Sequence, residues 1–312
     1  MLFNNKVIYI NSLDELLNIP TSIFAIGNFD GCHLGHKHIL YKAKNYALLK
    51  NSKAGVITFE PHPLKAIENK KQYFLSLGDS KFLDILNCGI DIIVVINFHL
   101  IKDMSFKDFF YNILLNKLKI SSLFSGINFT FGKSKSGDVN DLQNLCISNS
   151  VDYMPIELLK NEENEIYSSS NIRKYLSVGN IKKANDMLGR YFMVNGVVIK
   201  GNQLARKLGF PTANVNIDDF ALLKKGVYVV NIILDNVYYK GVANFGVKPT
   251  IGDNFTNILE IHIFNFDKDI YNNNIFIEFV DFLREEIKFN NINDLLKQIK
   301  LDVKQAYDIL CI

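Results

Sequence analysis

Residues 22–36 read Ser-Ile-Phe-Ala-Ile-Gly-Asn-Phe-Asp-Gly-Cys-His-Leu-Gly-His. The apolar run Ser22–Ile26 predicts a short strand that ends at Gly27. Behind it, Leu34–Lys50 predicts a helix, with Ile39, Leu40, Ala43, Tyr46 and Ala47 at helical spacing. A loop joining a strand end to a helix start is where backbone N–H groups and the helix dipole meet an anion such as a nucleotide phosphate. Gly27 and Gly31 permit unusual backbone angles and close ligand approach. His33 and His36 lie three residues apart at the helix start, so their rings share a face. Two imidazoles there can donate hydrogen bonds to phosphate oxygens and stabilise charge on a leaving pyrophosphate. The competing readings are helix capping by the histidines, or a metal pair. A zinc helix would carry His at i and i+4 with an intervening Glu, which is absent, and so is a Gly-x4-Gly-Lys-Ser/Thr phosphate loop.

Outward from this loop the first half alternates strands and helices. Strands are expected at Val56–Phe59, Ile92–Ile96 and Ser122–Gly126, and helices at Ser80–Leu86 and Phe106–Leu118. Continuous apolar strands between helices predict a doubly wound, Rossmann-like α/β sheet with both faces covered, and ligands bind at the carboxyl ends of such strands. Near Gly189 the pattern changes. Short β runs follow at Phe192–Ile199, Gly226–Leu234, Tyr238–Asn244, Ile258–Phe266 and Ile275–Phe282. Turn residues separate them at Gly201-Asn202, Asp235-Asn236, Gly252-Asp253 and Asn272–Asn274, which predicts an antiparallel β-barrel or sandwich. One helix, Ile292–Leu310, closes the chain, with Asn291 or Asn293 as its N-cap. Two domains are expected, 1–187 and 188–312.

The 312 residues suffice for two cores. Hydrophobic residues at 48% and charged residues at 21% exclude a disordered or collagen-like chain. The net charge of +3, from 35 Lys+Arg against 32 Asp+Glu, is too balanced for a dedicated nucleic-acid or membrane-surface protein and suits small anionic ligands. Cys32, Cys88, Cys146 and Cys311 form no CxxC pair and read as reduced thiols, which points to the cytoplasm. No signal peptide and no membrane span are expected, since the longest apolar runs are strand-length. Oligomeric state is left open.

The stretch Gly27-Asn28-Phe29-Asp30-Gly-x-His33-x-Gly-His36 resembles the signature of the nucleotidyltransferase superfamily, in the version carried by prokaryotic FAD synthetases, the bifunctional riboflavin kinase/FMN adenylyltransferases. Thr58-Phe-Glu-Pro-His-Pro63, Gly126-Ile-Asn-Phe-Thr-Phe-Gly132 and Ser168-Ser-Ser-Asn-Ile-Arg173 resemble further motifs of that family. The resemblance implies that Gly27, Asn28, Phe29 and Asp30 belong to the nucleotide site. It implies equally that Asn128 contacts the nucleotide and that Ser169, Ser170 and Arg173 hold ATP phosphates. The residue types agree: a serine run capping a helix whose first turn carries an Arg makes an anion site, although such an Arg is more often a solvated surface charge.

Gly196-Val-Val-Ile-Lys-Gly201, then Arg206-Lys-Leu-Gly-Phe-Pro-Thr-Ala-Asn214, resembles the riboflavin kinase signature of the same family. By that resemblance Thr212 and Asn214 help bind Mg²⁺-ATP, and the Gly201–Gly209 loop, which carries Arg206, covers the phosphates. A Thr hydroxyl and an Asn carbonyl are hard oxygen ligands suited to Mg²⁺. Leu259-Glu-Ile-His-Ile-Phe-Asn-Phe266 resembles the strand bearing the family's catalytic carboxylate, Glu260. Alternation sets Glu260 and His262 on one face and Leu259, Ile261 and Ile263 on the other, and a carboxylate facing the barrel interior would serve as general base. Arg284, in the closing segment, is expected to help enclose the flavin or nucleotide. The sequence departs from the family pattern at Ala205, at Ser170, at Phe98-His-Leu-Ile-Lys102 and at Asn272, where Gly is common.

The resemblance implies phosphorylation of riboflavin to FMN in the second domain and adenylylation of FMN to FAD in the first, with ATP as co-substrate of both. The alternatives are a single-activity enzyme or flavin-binding module with one dead site, or a nucleotidyltransferase for another phosphorylated metabolite. The Pro-Thr-Ala-Asn barrel argues against the last.

Overall fold

In a computed structural model the chain forms two compact units, Met1–Lys70 with Leu77–Ser168, and Lys71–Ser76 with Ser169–Ile312. The structure describes residues 6–14, 19–68, 73–201, 208–217, 220, 223–249 and 255–311.

The first unit is a six-stranded parallel sheet. Its strands are β1 (Val7–Ile10), β2 (Ile23–Ile26), β3 (Ala54–Glu60), β4 (Ile92–Asn97), β5 (Ser122–Gly126) and β6 (Asp152–Ile156), in the order β1-β4-β3-β2-β5-β6. Around it run α1 (Leu34–Leu49), α2 (Pro63–Glu68), α3 (Asp79–Asn87), α4 (Phe98–Ile101), α5 (Phe106–Asp108, continuing as π-helical turns through Lys117) and α6 (Val139–Ser148). Side chains alternate across the central strands. Phe24 and Ile26 join Ile57, Val94 and Leu123 in one hydrophobic layer, while Ile23 and Ala25 join Leu40, Val56 and Ile93 in the other. Burial on both faces is why these strands read as unbroken apolar runs. From β2 the chain adds β3 and β4 on one side and then β5 on the other. The order therefore reverses between β2 and β5, and ligands of open α/β sheets bind at the strand ends beside such a switch.

The second unit opens with α7 (Ser169–Ser177) and α8 (Ile181–Leu188). A closed barrel follows, of β7 (Phe192–Ile199), β8 (Ala213–Asn216), β9 (Gly226–Leu234), β10 (Val237–Pro249), β11 (Phe255–Ile263) and β12 (Asn274–Arg284), in the order β10-β11-β8-β7-β12-β9. All neighbours are antiparallel. Tyr228, Val230, Ala243, Phe245, Leu259, Ile261 and Phe279 fill the interior. Asp235 and Asn236 have φ of 51° and 64°, the two positive angles that a tight β9–β10 hairpin requires. Asn272, where the resemblance led us to expect Gly, has φ 67°, a left-handed angle that Asn tolerates among non-Gly residues. The closing helix Ile292–Leu310 is capped by Asn291, whose Oδ1 accepts from the Asp294 N–H at 2.9 Å. Ala306 of that helix packs on Val227, Val229, Val242 and Phe264, a second core outside the barrel wall. No described helix is long and apolar enough to cross a membrane.

Candidate functional site

The loop after β2 is held open by its own backbone and by β3. The Gly27 N–H donates to the Ile57 carbonyl at 3.1 Å, and the Thr58 hydroxyl donates to the Asn28 carbonyl at 3.2 Å. Phe29, Gly31 and Cys32 have φ of 50°, 79° and 40°. Two non-glycine residues at such angles in one short loop are uncommon and mark functional loops. Phe29 and Asp30 are buried, at 1% and 4% exposure, so their side chains build the loop from within. Gly27 and Asn28 remain at the surface.

His33 is the N-cap of α1. Its Nδ1 accepts from the His36 N–H at 3.3 Å, so the capping reading of this residue holds. The cap also has a chemical consequence. An Nδ1 that accepts carries no proton, which leaves the neutral ring's proton on Nε2. His36 stacks on His33, with ring centroids 3.7 Å apart and planes 20° apart, and Phe29 meets His36 edge-on at 5.4 Å. Gly35 is required by space: a Cβ there would fall 2.8 Å from the Tyr167 carbonyl oxygen. Asn128 stands exposed in the turn that follows β5. The loop and Asn128 thus sit at the ends of β2 and β5, the two strands that flank the switch.

Sequence reading missed Lys81. It is buried in α3 at 5% exposure, with Asp30, Glu60 and Cys32 around it. Burial pulls its ammonium down to about 8, against the attraction of Glu60 and Asp30. Burial likewise raises Glu60, and Lys81 opposes that shift. The available signal was position: Lys81 lies one turn before the buried Ile85, on the apolar stripe of α3. Sequence spacing also isolated the cysteines, yet the buried Cys32 and Cys88 side chains hydrogen-bond each other. That contact, with Lys37 nearby, holds the Cys88 thiol below its ordinary value against burial.

Ser169, Ser170 and Arg173 open α7, in the second unit. Ile172 and Leu176 anchor this helix in the core. Arg173 is half-buried rather than a solvated surface charge: its Nε donates to the Tyr73 carbonyl at 2.7 Å and its guanidinium lies 3.6 Å from the Tyr73 ring centroid.

On the barrel, cross-strand register assembles the site. Glu260 of β11 pairs with Asn214 of β8 on one side and with Asn244 of β10 on the other. Directly paired residues share a face at Cβ separations of about 5 Å. Sequence reading did not single out Asn244, because only pairing brings it to Glu260. Leu259 and Ile261 are fully buried inside the barrel, whereas Glu260 and His262 are half-buried. The Asn244–Glu260–Asn214 row therefore lies on the outer face, a correction to the expected inward carboxylate. His262, on that face, donates from its ring Nδ1 to the Pro211 carbonyl at 3.0 Å and ties the Pro-Thr-Ala-Asn turn to β11. Asn214 is buried at 6% exposure, and a Cβ on Gly201 would fall 2.7 Å from its Oδ1. A cavity of about 400 Å³ opens beside Asn214, bounded by Gly201, Thr212, Asn214, Ile261, Phe266 and Tyr271, and Glu260 is not in its lining. Arg206 and the turn at Gly252-Asp253 lie outside the described residues.

Arg284 is engaged elsewhere. Its Nε and one Nη donate to the two carboxylate oxygens of Asp302 at 2.8 and 2.6 Å, and its other Nη donates to the Glu285 carbonyl at 2.9 Å. Asp302 is buried and also accepts from Gln298 at 2.9 Å. Arg284 fastens β12 to the closing helix, and the expected ligand contact is replaced by this structural one.

Known protein families match both halves of the chain. A FAD synthetase family model matches residues 18–170, and a riboflavin kinase family model matches residues 188–310. The bifunctional riboflavin kinase/FMN adenylyltransferase of Buchnera aphidicola subsp. Schizaphis graminum is 35% identical over 91% of this chain and 92% of its own length. That of Listeria monocytogenes is 31% identical over 95% of this chain and 96% of its own. A solved chain from Streptococcus pneumoniae, described as a macrolide-efflux protein, aligns with a TM-score of 0.83 at 25% identity, covering 95% of this chain and 97% of that one. With relatives of this identity matched over nine-tenths or more of both lengths, the chain belongs to the bifunctional riboflavin kinase/FMN adenylyltransferase family.

Proposed function

We propose a division of the family's two reactions over this chain, with residues 1–187 as the adenylyl-transfer domain and residues 188–312 as the kinase domain. The chain phosphorylates riboflavin to FMN and adenylylates FMN to FAD, using ATP for both. In the kinase reaction the ribityl 5′-hydroxyl attacks the γ-phosphorus of ATP. An O–P bond forms, ADP leaves, and Glu260 accepts the hydroxyl proton. Asn244 and Asn214 flank that carboxylate in the cross-strand register.

The donor set beside it fits Mg²⁺. The Thr212 hydroxyl and the Asn214 carbonyl are hard oxygens, and glycine at 201 leaves the Asn214 amide its space. When bound, the ion would neutralise charge on the transferring phosphate. Gly201 keeps the approach to Asn214 open, and His262 holds the turn that presents Thr212.

In the second reaction an FMN phosphate oxygen attacks the α-phosphorus of ATP and pyrophosphate leaves. The nucleophile is already anionic, so no covalent enzyme intermediate is needed. His33 offers its Nε2–H to a phosphate oxygen, because the helix cap occupies Nδ1. His36 is held against it by stacking. Arg173, Ser169 and Ser170 hold ATP phosphates, and Asn128 contacts the nucleotide. Catalysis is positioning and charge stabilisation. Both reactions belong in the reducing cytoplasm, which suits the hydrogen-bonded thiols of Cys32 and Cys88.

The observation that carries this reading is that a FAD synthetase family model and a riboflavin kinase family model match the two halves of the chain, and the histidine cap at the sheet's switch and the Glu260 row support it. Incubating the purified protein with riboflavin and Mg²⁺-ATP and resolving the flavins by chromatography tests it. FMN followed by FAD is expected. FMN alone would leave the first site inactive, and neither product would remove the reading.

A further inference from the structure

We propose that Tyr73 is a positioning residue that holds Arg173 in the orientation used for adenylyl transfer. The proposal rests on the reading of Arg173 as a phosphate-holding residue. Tyr73 holds the guanidinium through both its ring and its backbone carbonyl. The Arg173 Cζ lies over the Tyr73 ring, 3.6 Å from the centroid, and the Arg173 Nε donates to the Tyr73 carbonyl at 2.7 Å. This cation–π arrangement orients the fork. A long Arg side chain otherwise samples many rotamers, and ordering it on the free enzyme removes that cost from catalysis.

Tyr73 is itself held firmly. Phe74, 1% exposed, forms a parallel bridge with Phe220, 5% exposed, and the Tyr73 and Phe74 rings pack edge-on at 5.9 Å. The Arg173 end is equally fixed, since Ile172 and Leu176 are fully buried. Tyr73 precedes Arg173 by 100 residues and belongs to none of the sequence motifs, so only the fold reveals the pair.

The test compares wild type, Tyr73→Leu, Tyr73→Phe, Arg173→Ala and the Tyr73→Leu/Arg173→Ala double variant in two assays, FMN to FAD and riboflavin to FMN. Tyr73 and Phe74 lie in the same compact unit as the barrel, so FMN formation is an internal control for folding. Tyr73→Leu is expected to lower kcat for FAD formation about tenfold or more, since small misplacements of catalytic groups are that costly, with FMN formation unchanged. Tyr73→Phe, which keeps ring and carbonyl, is expected to restore activity. In the Arg173→Ala background, Tyr73→Leu should add less than about twofold.

A Tyr73→Leu enzyme with normal FAD formation would overturn the proposal while Arg173→Ala still supported its parent reading. An undiminished Tyr73→Leu effect without Arg173, or parallel loss of both activities, would overturn it too. If Arg173→Ala itself formed FAD normally, the reading of Arg173 would fall and the proposal with it.

Discussion

At the end of β2 the candidate groups come from the twelve consecutive residues Ala25–His36, while on the barrel the candidates come from three strands, with Asn214, Asn244 and Glu260 contributed by β8, β10 and β11. The first arrangement depends on local backbone: three positive φ angles, a histidine cap and a glycine with a carbonyl 2.8 Å from its missing Cβ. The second depends on register. A one-residue slip of β11 would turn Glu260 inward and expose Ile261. The lesson is that a contiguous site fails through local crowding and a register-built site through loss of pairing or of the turn that covers it.

Four substitutions sharpen that contrast. Gly35→Ala should have the largest effect, because the obstructing atom is a backbone oxygen that cannot swing away. FAD formation from FMN should fall about a hundredfold, the cost of roughly 1 Å of misplacement, while FMN formation stays normal in a direct flavin assay. Gly201→Ala should do the converse less severely. The new Cβ displaces the Asn214 amide, a side chain able to rotate, so riboflavin phosphorylation should drop about thirtyfold with adenylylation intact. Equal loss of both activities in either variant would mean that the sites are not separable.

Arg284→Ala tests the corrected assignment of that residue. Removing a bidentate partner from the buried Asp302 should cost about 2 kcal/mol of stability. The effect should appear in chemical denaturation, with KM for riboflavin and ATP unchanged at a temperature where the protein is folded. A raised KM without loss of stability would return Arg284 to the ligand.

The last effect is silent at neutral pH. Lys81 titrates at about 8 when folded and at its ordinary 10.5 when unfolded. Between those values the unfolded chain binds the extra proton, so stability rises with pH through the window. Relative to Lys81→Met, the wild type should therefore gain stability from pH 8 to pH 10.5 and show a constant difference below pH 8. A flat difference across the alkaline window would place Lys81 in water.

Much of the first unit was legible because its code is local. The strands at Ile92 and Ser122 and the helices at Leu34 and Asp79 follow from apolar periodicity, and Ser122–Gly126 ends where expected, as does the closing helix Ile292–Leu310 of the second unit. The edge strands β1 and β6 were missed. An edge strand is covered less completely, and β6 contains Pro155, which reads as a strand breaker yet is tolerated at an edge. The β8 strand was missed because its four residues gain strand character only from pairing with β7 and β11. The same limit hid Asn244, Lys81 and Tyr73, whose partners are distant in sequence. Alternation correctly grouped Glu260 with His262. It could not say which group faced inward, and the burial of Leu259 and Ile261 decides that.

The most direct test of two separable sites is a crossed product assay. His36→Ala and Glu260→Gln are each incubated with Mg²⁺-ATP and either riboflavin or FMN, and the flavins are separated. The account predicts that His36→Ala turns riboflavin into FMN and stops, its FAD formation reduced a hundredfold or more. It predicts that Glu260→Gln leaves riboflavin untouched yet converts FMN to FAD at the wild-type rate. A folded variant of either kind that lost both activities, or kept both, would contradict it.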